Sequence, residues 1–199
     1  MTTPTARTSM ANLIARVRTL VSEATTDQVS DLSIQEALDR TRIEVRPPTS
    51  CIPSPSYLPG GILSFDTFFA PDALKDWEDD VVLTRANFTP ITPSISENLV
   101  GKWTFSATDF PPAGVYPPVF IVGKSYDPYM AGAHVCDMLL ATIKDKFDYH
   151  NPARAQFFFS QKIANLQALK QQLLNSARIE AVSAYRSDES LPGMGGLGW

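Results

Sequence analysis

A chain of 199 residues suits one domain, or one domain with a large insertion, and leaves no room for a second enzyme-sized module. The apolar share of 44% and the charged share of 19% are ordinary for a globular protein, whereas sixteen prolines are well above the usual share. Net charge is −4: residues 1–46 carry six basic and six acidic groups, 127–199 carry seven of each, and 47–126 carry four against eight. Sequence-specific binding of DNA needs a basic surplus to displace counterions from phosphates, and no segment supplies one.

Cys51 and Cys136 lie far apart and form no C-x-x-C pair, so neither a disulfide framework nor a zinc knuckle is indicated. A reducing cytoplasm is the expected compartment. The opening stretch lacks the apolar core of a signal peptide, and no stretch approaches the roughly eighteen apolar residues of a membrane span. The chain is therefore expected to be soluble where it is made.

Residues 10–24 place Leu13, Val17, Leu20, Val21 and Ala24 at helical spacing, with Arg16, Arg18 and Glu23 between them, which predicts an amphipathic helix. Ser33-Ile34-Gln35-Glu36 has the capping-box pattern and predicts a second helix from Ser33 to about Val45, ending before Pro47-Pro48. From Pro47 to Tyr126 the texture changes, and ten prolines from Pro53 to Pro118 punctuate short apolar runs. Strands are predicted at 62–69, 81–83, 103–107 and 119–122, within a small, irregular β-rich insertion.

Helix returns at Asp127-Pro128, a capping residue followed by proline at the first helical position, and is predicted to run to about Lys146. After a polar break at 148–151, a fourth helix carries Phe158, Ile163, Leu166, Leu169, Leu173 and Ala177 toward about Tyr185. The third and fourth helices should form an antiparallel hairpin. The final stretch, Leu191-Pro-Gly-Met-Gly-Gly-Leu-Gly-Trp199, is too rich in glycine for a stable helix or strand of its own.

The chemical motifs are sparse. Gly123-Lys124-Ser125 invites comparison with a phosphate-binding loop, but Pro118 stands where that motif needs its other glycine. His134 and Cys136 are two apart, which on a helix sends them to different faces, and only His150 adds a further metal-ligating imidazole or thiol nearby. Asp76, Glu78, Asp79 and Asp80 lack the alternation and glycine of a calcium loop and read as a solvated, charged turn. No Gly-x-Ser-x-Gly elbow is present, and two histidines give a hydrolytic site few candidates. Neither an enzyme, nor a cofactor, nor a bound metal is expected. Phe157-Phe158-Phe159 opens the fourth helix and would spread over about 200° of its circumference. That leaves two readings open, core packing and a subunit interface.

Val119-Phe-Ile-Val-Gly123-Lys-Ser-Tyr126-Asp127-Pro128-Tyr129, the small residues Ala131 and Ala133, Phe147-Asp148, and Ser160-Gln161-Lys162 followed by Leu166, Leu169 and Leu173 resemble the head–tail adaptor family of tailed bacteriophages, also called connector or head-completion proteins. Leu13 to Arg18 and Leu32 to Asp39 fit the same style. The likeness spans roughly 10–46 and 119–180 and implies a homo-oligomeric ring, usually of twelve copies. Such a ring docks on the portal protein after DNA packaging and presents a surface to a stopper or tail-terminator protein. It implies a place at the portal vertex of the virion after synthesis in the host cytoplasm, with DNA only passing through the lumen and no membrane contact.

The fold expected on these grounds is mainly α: an antiparallel bundle of about four helices with a proline-rich, β-containing insertion between the second and third. The expected segments are 1–46 and 127–187 as two helical hairpins of one core, 47–126 as the insertion, and 188–199 as an extended tail. Leu191, Met194, Leu197 and Trp199 are the expected anchor to the portal. Phe157, Phe158, Phe159, Phe68, Phe69 and Trp77 are the interface candidates, since the aromatics of the insertion, Phe65, Phe88 and Trp103 among them, exceed what a small β-unit buries alone. A stopper or tail-completion protein of the neck, and a monomeric protein-binding module, are the competing readings.

Overall fold

The computed structural model describes residues 5–22, 28–58, 60–71, 74–106, 109–110, 118–143, 149–151, 155–157 and 159–178. Helices α1 (Ala11–Leu20) and α2 (Asp31–Asp39) lead into the strands β1 (Ile43–Ser50), β2 (Ile52–Leu58), β3 (Ile62–Phe69), β4 (Val82–Arg85), β5 (Pro90–Ile91), β6 (Ile95–Glu97), β7 (Lys102–Thr104) and β8 (Val119–Ser125). Helix α3 (Pro128–Ile143), a hairpin of β9 (Tyr149–Asn151) and β10 (Ala155–Phe157), and α4 (Phe159–Ser176) follow.

The expectation of a mainly α fold is overturned. Two four-stranded antiparallel sheets, ordered β1-β8-β4-β5 and β2-β3-β7-β6, make this a mixed α and β protein. The largest single reason is β1. Helix α2 stops at Asp39, where Thr41 Oγ1 donates to Leu38 O (2.9 Å) and accepts from Asp127 N (3.1 Å). The β-branched Ile43 and Val45 then pair with Ser125 and Gly123 of β8 instead of prolonging the helix. The start of α2 also shifts: Ser30 is the cap, its hydroxyl accepting from Ser33 N (3.1 Å), and Asp31 sits in the first turn, where the helix dipole favours an anion.

Five of the prolines have a common place. Pro47 and Pro48 lie in β1, Pro53 and Pro55 in β2, and Pro90 in β5, each an outermost strand of its sheet. A residue without an N–H weakens a central ladder but blocks unwanted pairing at an edge, so these positions protect the sheets from strand addition. The remaining edge, β6, is only three residues long.

One hydrophobic cluster lies between the sheets. Val45, Leu83, Val119 and Ile121 come from one sheet, Phe68 and Trp103 from the other, and Trp77, Phe105 and Phe110 from the connections. Phe68 meets Phe105 edge-on at 5.6 Å, and Trp77 meets Trp103 at 6.0 Å. Such pairs add to the burial of the rings themselves. The chain passes from one sheet to the other at Cys51, whose N–H donates to Val119 O (2.7 Å). Gly101 is required at its turn: its φ is +73°, and a Cβ there would lie 2.6 Å from Leu74 O.

The second cluster is helical, with α3 packed against α1, α2 and α4 through Leu13, Val17, Ile34, Leu38, Val135, Leu139, Leu166 and Leu173. Asp127 caps α3, its Oδ1 accepting from Tyr129 N (3.0 Å) and Met130 N (3.1 Å). Gly132 lets the helices approach: a Cβ there would stand 3.2 Å from Leu173 Cδ1. The stretch expected to open the fourth helix is partly strand, since Ala155, Gln156 and Phe157 pair with Asn151, His150 and Tyr149. Phe157 therefore closes β10 and Phe159 opens α4, so the run of three phenylalanines does not share one helix.

Candidate functional site

Between the two clusters lies a set of buried charges. Residues 76–79 run alongside the end of β8: Glu78 N donates to Lys124 O (3.0 Å), Tyr126 N to Asp76 O (3.0 Å), and Asp79 N to Ser9 O (3.1 Å). This ribbon carries the Glu78 carboxylate, 1% exposed, into the seam. Arg7 Nε (3.1 Å) and Ser9 Oγ (2.7 Å) donate to its Oε1, and Tyr126 OH (2.6 Å) and Lys124 Nζ (3.4 Å) to its Oε2. Arg7 also reaches Asp39 of α2 at 2.7 Å, so one guanidinium ties α2 to the ribbon.

Burial opposes the charge of Glu78. The hydrogen bonds from Ser9 and Tyr126 and the charges of Arg7 and Lys124 outweigh it and hold the carboxyl below its ordinary value. Burial, followed by the neighbouring Glu78, pushes the Tyr126 phenol above its usual range. Both groups are thereby fixed in one protonation state near neutrality.

Asp76 forms the second half of the seam. It is 3% exposed and its φ is +59°. Arg16 Nη1 of α1 stands 3.0 Å from Oδ1 but is not aligned as a hydrogen bond, so that oxygen has an ionic neighbour and no donor aimed at it. Arg178, just beyond α4, lies 3.7 Å from Oδ2; its own N–H donates to Asp127 Oδ2 (2.6 Å) and its Nη1 to Ser125 Oγ (2.8 Å). Burial raises the Asp76 carboxyl to about 6; Arg16 and Arg178 pull it down, and Asp127 adds to the rise.

The sign of the pH effect follows. A carboxyl whose folded value lies above its unfolded one binds more protons when folded, so acidification through the interval from about 6 to 3.8 stabilises the fold. Glu78 acts oppositely: its contribution is lost as pH falls below 4.5 toward its lowered folded value. The unfolding midpoint should therefore rise as pH falls from about 6 to 4.5, where Asp76 alone of the two acts, and turn downward at lower pH as Glu78 is lost. Calorimetry across this range checks both limbs, and Asp76→Asn should abolish the rise while keeping the fall. A parent profile flat above pH 5 would count against the assignment.

The expectation of a solvated acidic turn at 76–80 is thus corrected: Asp76 and Glu78 are buried, and only Asp79 and Asp80 face solvent. Gly123-Lys124-Ser125 lies within β8, and its lysine serves Glu78 and Asp80 (3.3 Å). Cys136 is buried in the helical cluster, and the half-buried His134 lines a cavity of about 240 Å³ with Arg40, Met130 and Arg178. No group of three His, Cys, Asp or Glu suited to a metal occurs among the described residues. Nor is any helix among them long and apolar enough to cross a membrane.

Of the aromatic interface candidates, Phe68 and Trp77 are 0% and 1% exposed in the chain's own core, while Phe69, 37% exposed, faces outward beside Ile52 of β2. Phe65 is partly buried, Trp103 fully buried, and Phe88 exposed. Phe158 and the anchor candidates Leu191, Met194, Leu197 and Trp199 lie outside the described residues. Arg7, Ser9, Tyr126 and Arg178 escaped the sequence reading as a charged seam, since Arg7 and Glu78 are 71 positions apart and no local pattern links them.

No family model, curated protein or solved structure matches this chain. The functional reading therefore rests on the residues alone. Their arrangement pairs its charges with one another and joins two hydrophobic clusters.

Proposed function

We propose that the chain is a structural subunit of a head–tail adaptor ring of a tailed bacteriophage, built to dock on the portal and receive the next neck component. The observation that supports this most is where the family-like residues lie. Tyr126 and Asp127 build the seam and the cap, Ala131 and Ala133 sit in the close-packed face of α3, and Leu166 and Leu173 of α4 are buried against it. The resemblance thus falls on the helical core and its attachment to the sheets, the parts an adaptor needs rigid. In this reading residues 191–199 anchor the subunit to the portal, with weak binding of one tail multiplied by the copies in a ring.

The two antiparallel sheets favour a second reading, a stopper or tail-completion protein of the neck. Antibody labelling of virions viewed by negative stain, before and after the tail is detached, tests the proposal. Label at the portal vertex of both intact and tailless heads is the expected result. Label that leaves with the tail favours the second reading, and label absent from particles overturns both.

A further inference from the structure

The ends of three helices enclose the cavity of about 240 Å³. Asp127, Met130 and His134 form its first wall as one stripe of α3, since positions three and four apart share a helix face. Arg40 and Thr41 after α2, with Ile43 opening β1, form the second, and Arg178 beyond α4 closes the third side. The acceptors here are already served. Asp127 Oδ1 accepts from Tyr129 N (3.0 Å) and Met130 N (3.1 Å), and its Oδ2 from Arg178 N (2.6 Å). Thr41 Oγ1 donates to Leu38 O (2.9 Å) and accepts from Asp127 N (3.1 Å). Ala131 N donates to Asp127 O (3.0 Å), so the first turn of α3, with Pro128 at its start, offers a ligand no N–H. The free groups are side-chain donors. Neither the Arg40 guanidinium nor the His134 imidazole forms a hydrogen bond or ion pair among the described residues.

Donors without acceptors call for an anion. Arg178 adds a fixed positive charge, since its Nη1 and Nη2 are held by Ser125 Oγ (2.8 Å) and Lys75 O (2.5 Å). Asp127 and Asp76 already face that arginine, so the charge left to attract a ligand is chiefly that of Arg40. This favours a singly charged anion over a phosphate. Ile43 and Met130 add apolar surface that a fully hydrated inorganic ion would leave unused. The volume lies below the roughly 300–1,000 Å³ usual for drug-sized ligands, which excludes anything as large as a nucleotide. We propose that this cavity binds a small organic carboxylate, its oxygens on the Arg40 guanidinium and the His134 imidazole, its short apolar chain between Ile43 and Met130. The planar guanidinium suits both oxygens of a carboxylate at once. Every wall belongs to the single chain, so the site is independent of the adaptor reading.

Hexanoate titrated into the isolated full-length chain at constant ionic strength, and followed by magnetic resonance of the His134 ring, tests this. The chain has two histidines, and His134→Gln identifies which ring signal is which. Hexanoate should bind with a Kd of about 1 mM, a modest affinity for so few heavy atoms. Hexanamide, which keeps the shape without the charge, and acetate, which lacks the chain, should each bind at least about tenfold more weakly. Arg40→Gln should weaken hexanoate about tenfold without moving the unfolding midpoint, because this side chain has no partner to lose. Arg42→Gln, at an exposed position outside the cavity, should bind hexanoate as the parent does. A His134 signal that hexanoate leaves unmoved overturns the proposal. Hexanamide binding as well as hexanoate reduces the site to an apolar hollow and overturns it too. Equal losses in Arg40→Gln and Arg42→Gln, or inorganic phosphate binding more tightly than hexanoate, overturn the assignment to a carboxylate.

Discussion

Glu78→Gln is expected to destabilise the protein by about 3 kcal/mol, the lower end of the range for breaking a buried ion pair, because Arg7 and Lys124 keep some solvent contact. All four partners of this carboxylate, Arg7 Nε, Ser9 Oγ, Tyr126 OH and Lys124 Nζ, approach as donors. An amide of the same size must turn its NH₂ toward two of them, so the substitution removes the charge and also creates a clash of donors. Tyr126→Phe removes one hydrogen bond and should cost only about 1–1.5 kcal/mol. The seam adds a second expectation. Because Glu78 links the helical cluster to the sheets, its loss should separate their unfolding. Urea titration followed by tryptophan fluorescence, which reports the sheets, and by far-ultraviolet circular dichroism, which is dominated by the helices, should coincide in the parent and diverge in Glu78→Gln. Coincident curves with a loss below about 1 kcal/mol would show that the seam is not a structural joint.

The legible parts of this fold were those whose signal is local. The strand at Ile62–Phe69 stands where the sequence placed it, and Asp127-Pro128 begins a helix because the carboxylate and the missing N–H act within one turn. The illegible parts depend on partners far along the chain. Ile43 to Val45 continue a plausible helical pattern and become strand only because β8 is there to pair with them. The acidic run at 76–80 looks solvated until Arg7, Arg16 and Arg178 arrive from three helical neighbourhoods. Pro47, Pro48, Pro53, Pro55 and Pro90, met in the sequence as breaks in helix and apolar runs, are better understood as edge residues of two ordered sheets, a distinction that requires knowing strand order.

The aromatic residues of the middle segment separate core from interface most sharply. If Trp103 were held for a neighbouring subunit, the isolated chain would tolerate its removal. Instead its ring is fully buried against Trp77, and its Nε1 donates to Asn98 Oδ1 (2.9 Å), the same side chain that steadies Asp79. Trp103→Ala should cost about 3–5 kcal/mol, since the surroundings of so large a ring relax only partly into the space it leaves. Trp103→Phe should recover part of that loss by restoring aromatic volume, though not the hydrogen bond to Asn98. Urea midpoints of both variants, measured on monomeric protein at low concentration, decide between the two roles. A Trp103→Ala loss below about 1 kcal/mol would return this residue to the interface, whereas the expected loss shows that the sheets enclose a core of their own, leaving Tyr57, Phe69 and Phe88, which face solvent, among the described aromatics open to a partner.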